Sequence, residues 1–291
     1  MPRIAYVNGR YLPHRHAAVH IEDRGYQFAD GVYEVVPVFH SRLIDEELHL
    51  DRLERSLSEL RIALPKPRPV LKMISREVMR RNHLTHGFLY MQVTRGVAPR
   101  DHKFPIGLVR PSLVMTVRQM KPQTEEQVEK GVAVVTVPDI RWQRCDIKSI
   151  SLLPNCLAKQ QAAEAGAAEA WLVDAEGRVT EGSSTNAWIV TADNKLVTRK
   201  ADHSILNGVT RQTLIAVAQA AGIDFEERPF TVEEARQARE AFLTSSTNLV
   251  MPVTKIDQVT IGNGHPGMLT MRLRQLYIDE VTAAAAGRKA S

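Results

Sequence analysis

The sequence predicts an α+β fold. Two patterns carry this expectation: apolar residues at helical spacing, and short apolar runs joined by turn residues into hairpins. Length adds a third constraint. At 291 residues the chain exceeds what one hydrophobic core usually serves, so one large or two modest domains are expected.

The elements follow in order. Ile4 to Leu12 contains Val7-Asn-Gly-Arg10 between two apolar runs, a hairpin signature. Gly31 to Phe39 reads as a buried strand, and Pro37 inside it argues for an edge or a bulge. Leu50, Leu53, Leu57, Leu60 and Leu64 recur at helical spacing, which predicts a helix over 46–63. A second helix is expected over 70–81, and strands over 88–94 and 113–117. The polar stretch Lys121-Pro-Gln-Thr-Glu-Glu-Gln127 is read as a linker between a small α/β domain, 1–120, and a larger domain, 128–291. In the latter, strands are expected at 132–137, 168–173, 186–190, 241–244 and 251–256. Helices are expected at 155–165, 210–221 and 268–285. Thr231-Val-Glu-Glu234 reads as a capping box opening a short helix, and Gly287 to Ser291 as a frayed end.

Composition narrows the classes. Apolar residues make up 44%, with no continuous run of the roughly 18 residues a membrane span needs. Met1 to Gly9 has no apolar signal core, so a cytoplasmic protein is expected. Cys145 and Cys156 cannot form a disulfide framework and read as buried small apolar residues. The net charge of +5 comes from 38 basic and 33 acidic residues, mostly interleaved. The densest basic cluster, Arg76 to Arg81, reads as a solvated helix face rather than a nucleic-acid patch. His14 and His16 lack a third ligand nearby, so no metal is expected.

Chemistry concentrates in two places. Arg144-Cys-Asp-Ile-Lys148 offers a lysine in a mixed polar and apolar setting. Thr180-Glu-Gly-Ser-Ser-Thr-Asn186 offers an acid leading into a small-residue turn. An amine for a Schiff base and a carboxylate for a ring nitrogen are what a protein must supply to use pyridoxal 5′-phosphate. Taken alone, Lys148 is a surface lysine and Glu181 a turn-capping acid. Asn207-Gly-Val-Thr210 precedes a helix, where free N–H groups face an anion. Ser245-Ser-Thr247 follows a strand and adds hydroxyls.

These segments occur in one order with others: Glu22 to Glu34, His49-Leu-Asp-Arg-Leu53, Arg95-Gly-Val-Ala-Pro-Arg-Asp-His102, Asp139-Ile-Arg-Trp142 and Ile205 to Arg211. Over nearly its whole length the chain resembles the fold-type IV pyridoxal-phosphate transaminases, and within them the D-amino acid transaminases. The resemblance implies a two-domain fold with the cofactor between the domains. It implies Lys148 as Schiff-base lysine and proton shuttle, and Glu181 as the partner of the pyridine nitrogen. It implies phosphate binding by Arg52, Val209, Thr210 and Ser246. Tyr33, Arg100 and His102 would take the substrate carboxylate, the last two from the neighbouring subunit of a homodimer. The implied reaction moves an amino group from a D-amino acid such as D-alanine to a 2-oxo acid such as 2-oxoglutarate, by ping-pong chemistry. Neither nucleic acid nor membrane is an expected partner.

Alternatives stand beside this. On the same fold lie branched-chain L-transaminases, (R)-amine transaminases and aminodeoxychorismate lyase. A pyridoxal-phosphate-binding protein without turnover is the rival of another class. Pro37, Asp101 and Pro154-Asn155 depart from the family pattern and bear on the substrate pocket.

Overall fold

The computed structural model describes residues 3–285, so the expected fraying of Gly287 to Ser291 lies outside the described residues. The chain divides into two compact units. The first runs to Pro122 and also takes Ile147–Ser151. The second comprises Gln123–Asp146 and the chain from Leu152 onward.

The first unit contains β1 (Ile4–Val7), β2 (Arg10–Pro13), α1 (Arg24–Phe28), β3 (Gly31–Phe39), β4 (Arg42–Leu43), α2 (Glu46–Glu59), α3 (Arg68–Arg81), β5 (Gly87–Thr94) and β6 (Ser112–Gln119). Its sheet has the order β2-β1-β6-β5-β3-β4, with every pairing antiparallel. The β1–β2 hairpin turns at Asn8 (φ 47°) and Gly9 (φ 96°), the positive dihedrals of a two-residue primed turn. Leu50, Leu53 and Leu57 of α2 and Leu71, Ile74 and Val78 of α3 pack with Val32, Leu89, Met91 and Met115 of the sheet. That is the apolar stripe of the leucine repeat, buried as its spacing requires. Arg76 pairs with Glu46, and Arg80 and Arg81 pair with Glu77, so the basic cluster is an ion-paired helix face.

Pro37 lies inside β3 opposite Phe88. Its carbonyl accepts from Ile44 N–H. In an antiparallel ladder a residue's N–H and C=O point to the same neighbour. The missing proline N–H therefore falls on the side of the two-residue strand β4, where little pairing is lost.

The second unit contains α4 (Glu125–Lys130), β7 (Val132–Pro138), α5 (Leu153–Glu164), β8 (Glu169–Val173), β9 (Val179–Gly182), β10 (Asn186–Val190), β11 (Leu196–Thr198), α6 (Val209–Ala220), β12 (Phe225–Glu227), α7 (Val232–Arg236), β13 (Glu240–Ser245), β14 (Leu249–Ile256), β15 (Val259–Thr260) and α8 (Met268–Ala285). Among the described residues its sheet runs β12-β11-β10-β13-β14-β7-β8-β9, with β15 paired to β14. The β11–β12, β14–β7 and β7–β8 pairings are parallel and the rest antiparallel. β10 is buried along its whole length, and β8 and β13 nearly so, as expected for strands covered on both faces. Trp188 and Phe242 stack at 5.4 Å between β10 and β13.

Three expectations change. Helix α4 begins inside the segment read as a linker, and the reciprocal capping box belongs to Thr124 and Gln127 there. At α7 only Thr231 caps, accepting from Glu234 N–H. Cys145 is buried but Cys156 is exposed, because α5 buries only Ala158 and Ala162 of its face.

Candidate active site

Lys148 belongs to the first unit. Tyr33 N–H donates to Lys148 C=O at 3.0 Å, and Ile150 N–H to Gly31 C=O at 3.0 Å. Lys148 N–H donates to Ser56 Oγ at 3.3 Å. The Ile147–Ser151 segment thus runs along β3, on the side that β4 leaves open. These backbone bonds hold Lys148 with its Nζ 4.2 Å from the centre of the Tyr33 ring. Lys159, the other lysine in the region, is half-exposed and donates to Ala168 C=O at 2.6 Å.

Arg52 is buried on α2. Its Nε and Nη2 donate to the two oxygens of Glu34, each at 2.8 Å. His49 Nδ1 also meets Glu34, at 2.7 Å. A bidentate pair fixes the plane of the guanidinium. Burial alone would raise the Glu34 carboxyl, but the charge and hydrogen bonds of Arg52, with His49, outweigh it and hold the group at about 2. Burial also pushes the His49 imidazole below its usual range, against the pull of Glu34. The Glu34 contribution to stability is complete above the ordinary carboxyl value of 4.5 and is lost as pH falls toward about 2. Glu34→Gln should therefore cost most near neutrality. In chemical denaturation the gap between wild type and variant should narrow as pH falls through that window, and a gap independent of pH would contradict the pairing.

Arg100 and His102 lie on an exposed loop after β5. The Arg100 guanidinium is 5.1 Å from the centre of the Phe28 ring, and the His102 ring is 5.5 Å from it. Between them, Asp101 Oδ1 accepts from Lys103 N–H at 3.2 Å in a local turn.

Glu181 belongs to the second unit, on β9 rather than in a loop. It is buried. Its Oε1 accepts from Arg141 Nη1 at 2.5 Å and from Leu206 N–H at 3.1 Å, and its Oε2 from Asn186 Nδ2 at 3.0 Å. Arg141 is shared with Asp139 through a fork of 2.9 and 2.7 Å. Burial would lower the Arg141 guanidinium, and Glu181 and Asp139 outweigh this and raise it. Cys145 lies in the same field. Burial first, and then the nearby carboxylates against Arg141, push its thiol up to about 12. Its Sγ–H donates to Trp142 C=O.

Val209 and Thr210 open α6 behind Gly208, and no side chain caps that helix. Asn186 links this end to Glu181, since its Nδ2 also donates to Leu206 C=O at 3.0 Å. Ser246 stands in the turn between β13 and β14, where Ser245 Oγ accepts from Asn248 N–H. The departing residue Asn155 has a local function: its Nδ2 donates to Ser183 C=O at 2.8 Å, tying α5 to the turn after Glu181.

Sequence reasoning named Glu181 but missed its clamp. Arg141 and Asn186 sit within segments already quoted, and a buried carboxylate requires a cation and donors. Glu169 was also missed. It is buried on β8 and accepts from Ser183 and Ser184 of the same turn. Ser56 was hidden by its place within the leucine stripe.

Lys148 is thus held along a strand edge in the first unit, and Glu181 is clamped near an uncapped helix end in the second. The amino-transferase class IV family model matches residues 31–256, and the chain belongs to that family. It is an aminotransferase. Over 279 residues it is 42% identical to a D-alanine aminotransferase of Bacillus licheniformis, covering 96% of this chain and 97% of the relative. It is 40% identical to a D-alanine aminotransferase of Listeria monocytogenes, covering 96% of each. Among solved structures, a branched-chain amino acid aminotransferase of T.th. with pyridoxamine 5′-phosphate matches with a TM-score of 0.89 at 25% identity, covering 99% of this chain and 96% of that one.

Proposed function

We propose that this chain is a D-amino acid transaminase that uses pyridoxal 5′-phosphate, with D-alanine or a similar donor and a 2-oxo acid such as 2-oxoglutarate as acceptor. The observation that carries the reading is identity of about two residues in five with D-alanine aminotransferases along almost the full chain. The branched-chain L-transaminase reading is favoured by the solved structure cited above, but at only 25% identity.

The residues fit the cofactor. A phosphate needs N–H donors and hydroxyls, and α6 presents an uncapped N-terminus at Val209 and Thr210. A ring nitrogen needs an acid, and Glu181 is a buried carboxylate held by three donors. When bound, pyridoxal phosphate supplies a carbonyl carbon for amine exchange and a cationic ring that stabilises charge on the substrate's α-carbon. Lys148 would bind it through Nζ and, once released, carry the proton from that carbon. Glu181 would hold the proton on the ring nitrogen. Arg52, Val209, Thr210 and Ser246 would hold the phosphate, and Tyr33, Arg100 and His102 the substrate carboxylate.

We also read the enzyme as a homodimer, with Arg100 and His102 serving the partner's site. Val19, Ile21, Tyr26, Val97, Phe104, Ile106 and Leu108 are all exposed. Their two segments meet through Ala98 N–H to Glu22 C=O and the Asp23–Val97 bridge. Exposed apolar residues gathered on two joined segments call for a partner.

Turnover with D-alanine, L-leucine and (R)-1-phenylethylamine as donors tests the reading. D-alanine should be the best donor, and a preference for L-leucine would contradict it. A second prediction concerns Gly208. A Cβ there would lie 2.1 Å from Asn186 Oδ1, and Asn186 holds Glu181. Overpacking of this kind costs about 1–3 kcal/mol, so Gly208→Ala should lower cofactor affinity roughly tenfold or more. An absorbance titration with the cofactor would measure it.

A further inference from the structure

We propose that Arg24, held by Asp30, and the ring of Phe28 are positioning residues that fix Arg100 and His102 for the substrate carboxylate; this rests on the pocket assigned above.

The loop that carries Arg100 and His102 is exposed, yet its middle is tied to a buried cation. Arg24 is 3% exposed. Its Nη1 donates to the carbonyl of Asp101, the residue between the two, at 2.6 Å. Its Nε donates to Asp30 Oδ2 at 2.8 Å. Asp30 also takes Arg95 through Nε at 2.7 Å and Nη2 at 3.0 Å. The remaining Arg95 bonds go to Leu60 C=O and Arg61 C=O beyond the end of α2. One carboxylate therefore orients two guanidiniums, one toward the frame of the unit and one toward the loop.

The side chains are fixed as well as the backbone. The Phe28 ring is approached by Arg24 at 4.7 Å, Arg100 at 5.1 Å and His102 at 5.5 Å. Farther along the loop, Phe104 lies under the Arg95 guanidinium at 3.7 Å. The neck of the loop is closed. Arg24 N–H donates to Gly96 C=O, and a Cβ at Gly96 (φ +103°) would meet Arg110 O at 2.1 Å.

A buried ion pair adds little net stability over an apolar replacement. The place of this one, under an exposed Arg-x-His segment, is explained by the geometry it imposes. A carboxylate fork works only when the guanidinium plane is held in register, and long arginine side chains on free loops are not.

The test compares holoenzymes carrying Arg24→Met, Phe28→Leu, Arg100→Ala, and each of the first two combined with Arg100→Ala. Arg24→Met and Phe28→Leu should each raise KM for D-alanine about tenfold with little change in kcat. Each double variant should raise KM by clearly less than the product of its two single effects, because only His102 remains to be positioned. If Arg24→Met does not fold, Phe28→Leu and its double carry the test, since the ring replacement leaves the Arg24–Asp30 pair in place. Wild-type KM in a folded single variant, or effects that multiply in the double, would overturn the proposal as a merely structural role predicts. Wild-type KM in Arg100→Ala would instead remove the carboxylate pocket itself, and the proposal with it.

Discussion

Lys148→Ala should fold normally and lose transamination. The reason lies in how the residue is held. Its backbone N–H and C=O bind Ser56 Oγ and Tyr33 N–H, and alanine keeps both. The side chain is partly buried and contributes a ring contact to Tyr33. A general acid–base group contributes about 10²–10⁴ to rate, and loss of the cofactor's covalent anchor adds to this. kcat should therefore fall by roughly 10³ or more, while the thermal midpoint stays close to that of wild type. Steady-state kinetics with thermal unfolding of the same sample measures both. Turnover at the wild-type rate would remove Lys148 from the mechanism.

Arg100→Ala should have the next largest effect, and on substrate binding. Arg100 is exposed, so its loss costs the fold little. A charge-assisted hydrogen bond to a carboxylate is worth about 1.5–3 kcal/mol, so KM for D-alanine should rise about ten- to a hundredfold. The same variant tests the dimer. Arg100→Ala subunits carry an intact Lys148, and Lys148→Ala subunits carry an intact Arg100. If the loop serves the partner's site, each mixed dimer contains one complete site, and random reassociation should restore about a quarter of wild-type activity. If the loop served its own subunit, mixing would restore nothing.

Much of the fold was legible because periodicity is a local property. The leucine stripe predicts a helix over 46–63, observed at Glu46–Glu59, and the C-terminal helix is observed at Met268–Ala285 as expected. The strand containing Pro37 was legible despite the proline, because its neighbours alternate inward and only one ladder bond is lost. Several short elements were not legible. α1, β4, β9, β11 and β15 are two to five residues long and carry too few residues for a period. β9 mattered most. Glu181 reads as a turn acid, whereas it lies in a strand buried beside Arg141.

The candidate site was legible as residues but not as geometry. Lys148, Glu181 and Arg52 were named from motifs. Nothing local in the sequence indicates that Asp30 and Arg95, 65 positions apart, form one pair, or that Arg24 reaches the carbonyl of Asp101. Such contacts depend on β3 and β5 lying side by side, and they appear only once the sheet exists. Other contacts of the candidate residues are of the same kind. The Glu34 carboxylate between Arg52 and His49 joins β3 to α2, and Asn186 joins β10 to the loop before α6.

D-amino acid transamination is decided by the absorbance spectrum of cofactor-saturated protein, recorded before and after D-alanine and, separately, L-leucine. Loss of the cofactor's visible band with D-alanine alone, and growth of the pyridoxamine phosphate band, is the predicted result. Conversion by L-leucine alone would contradict it.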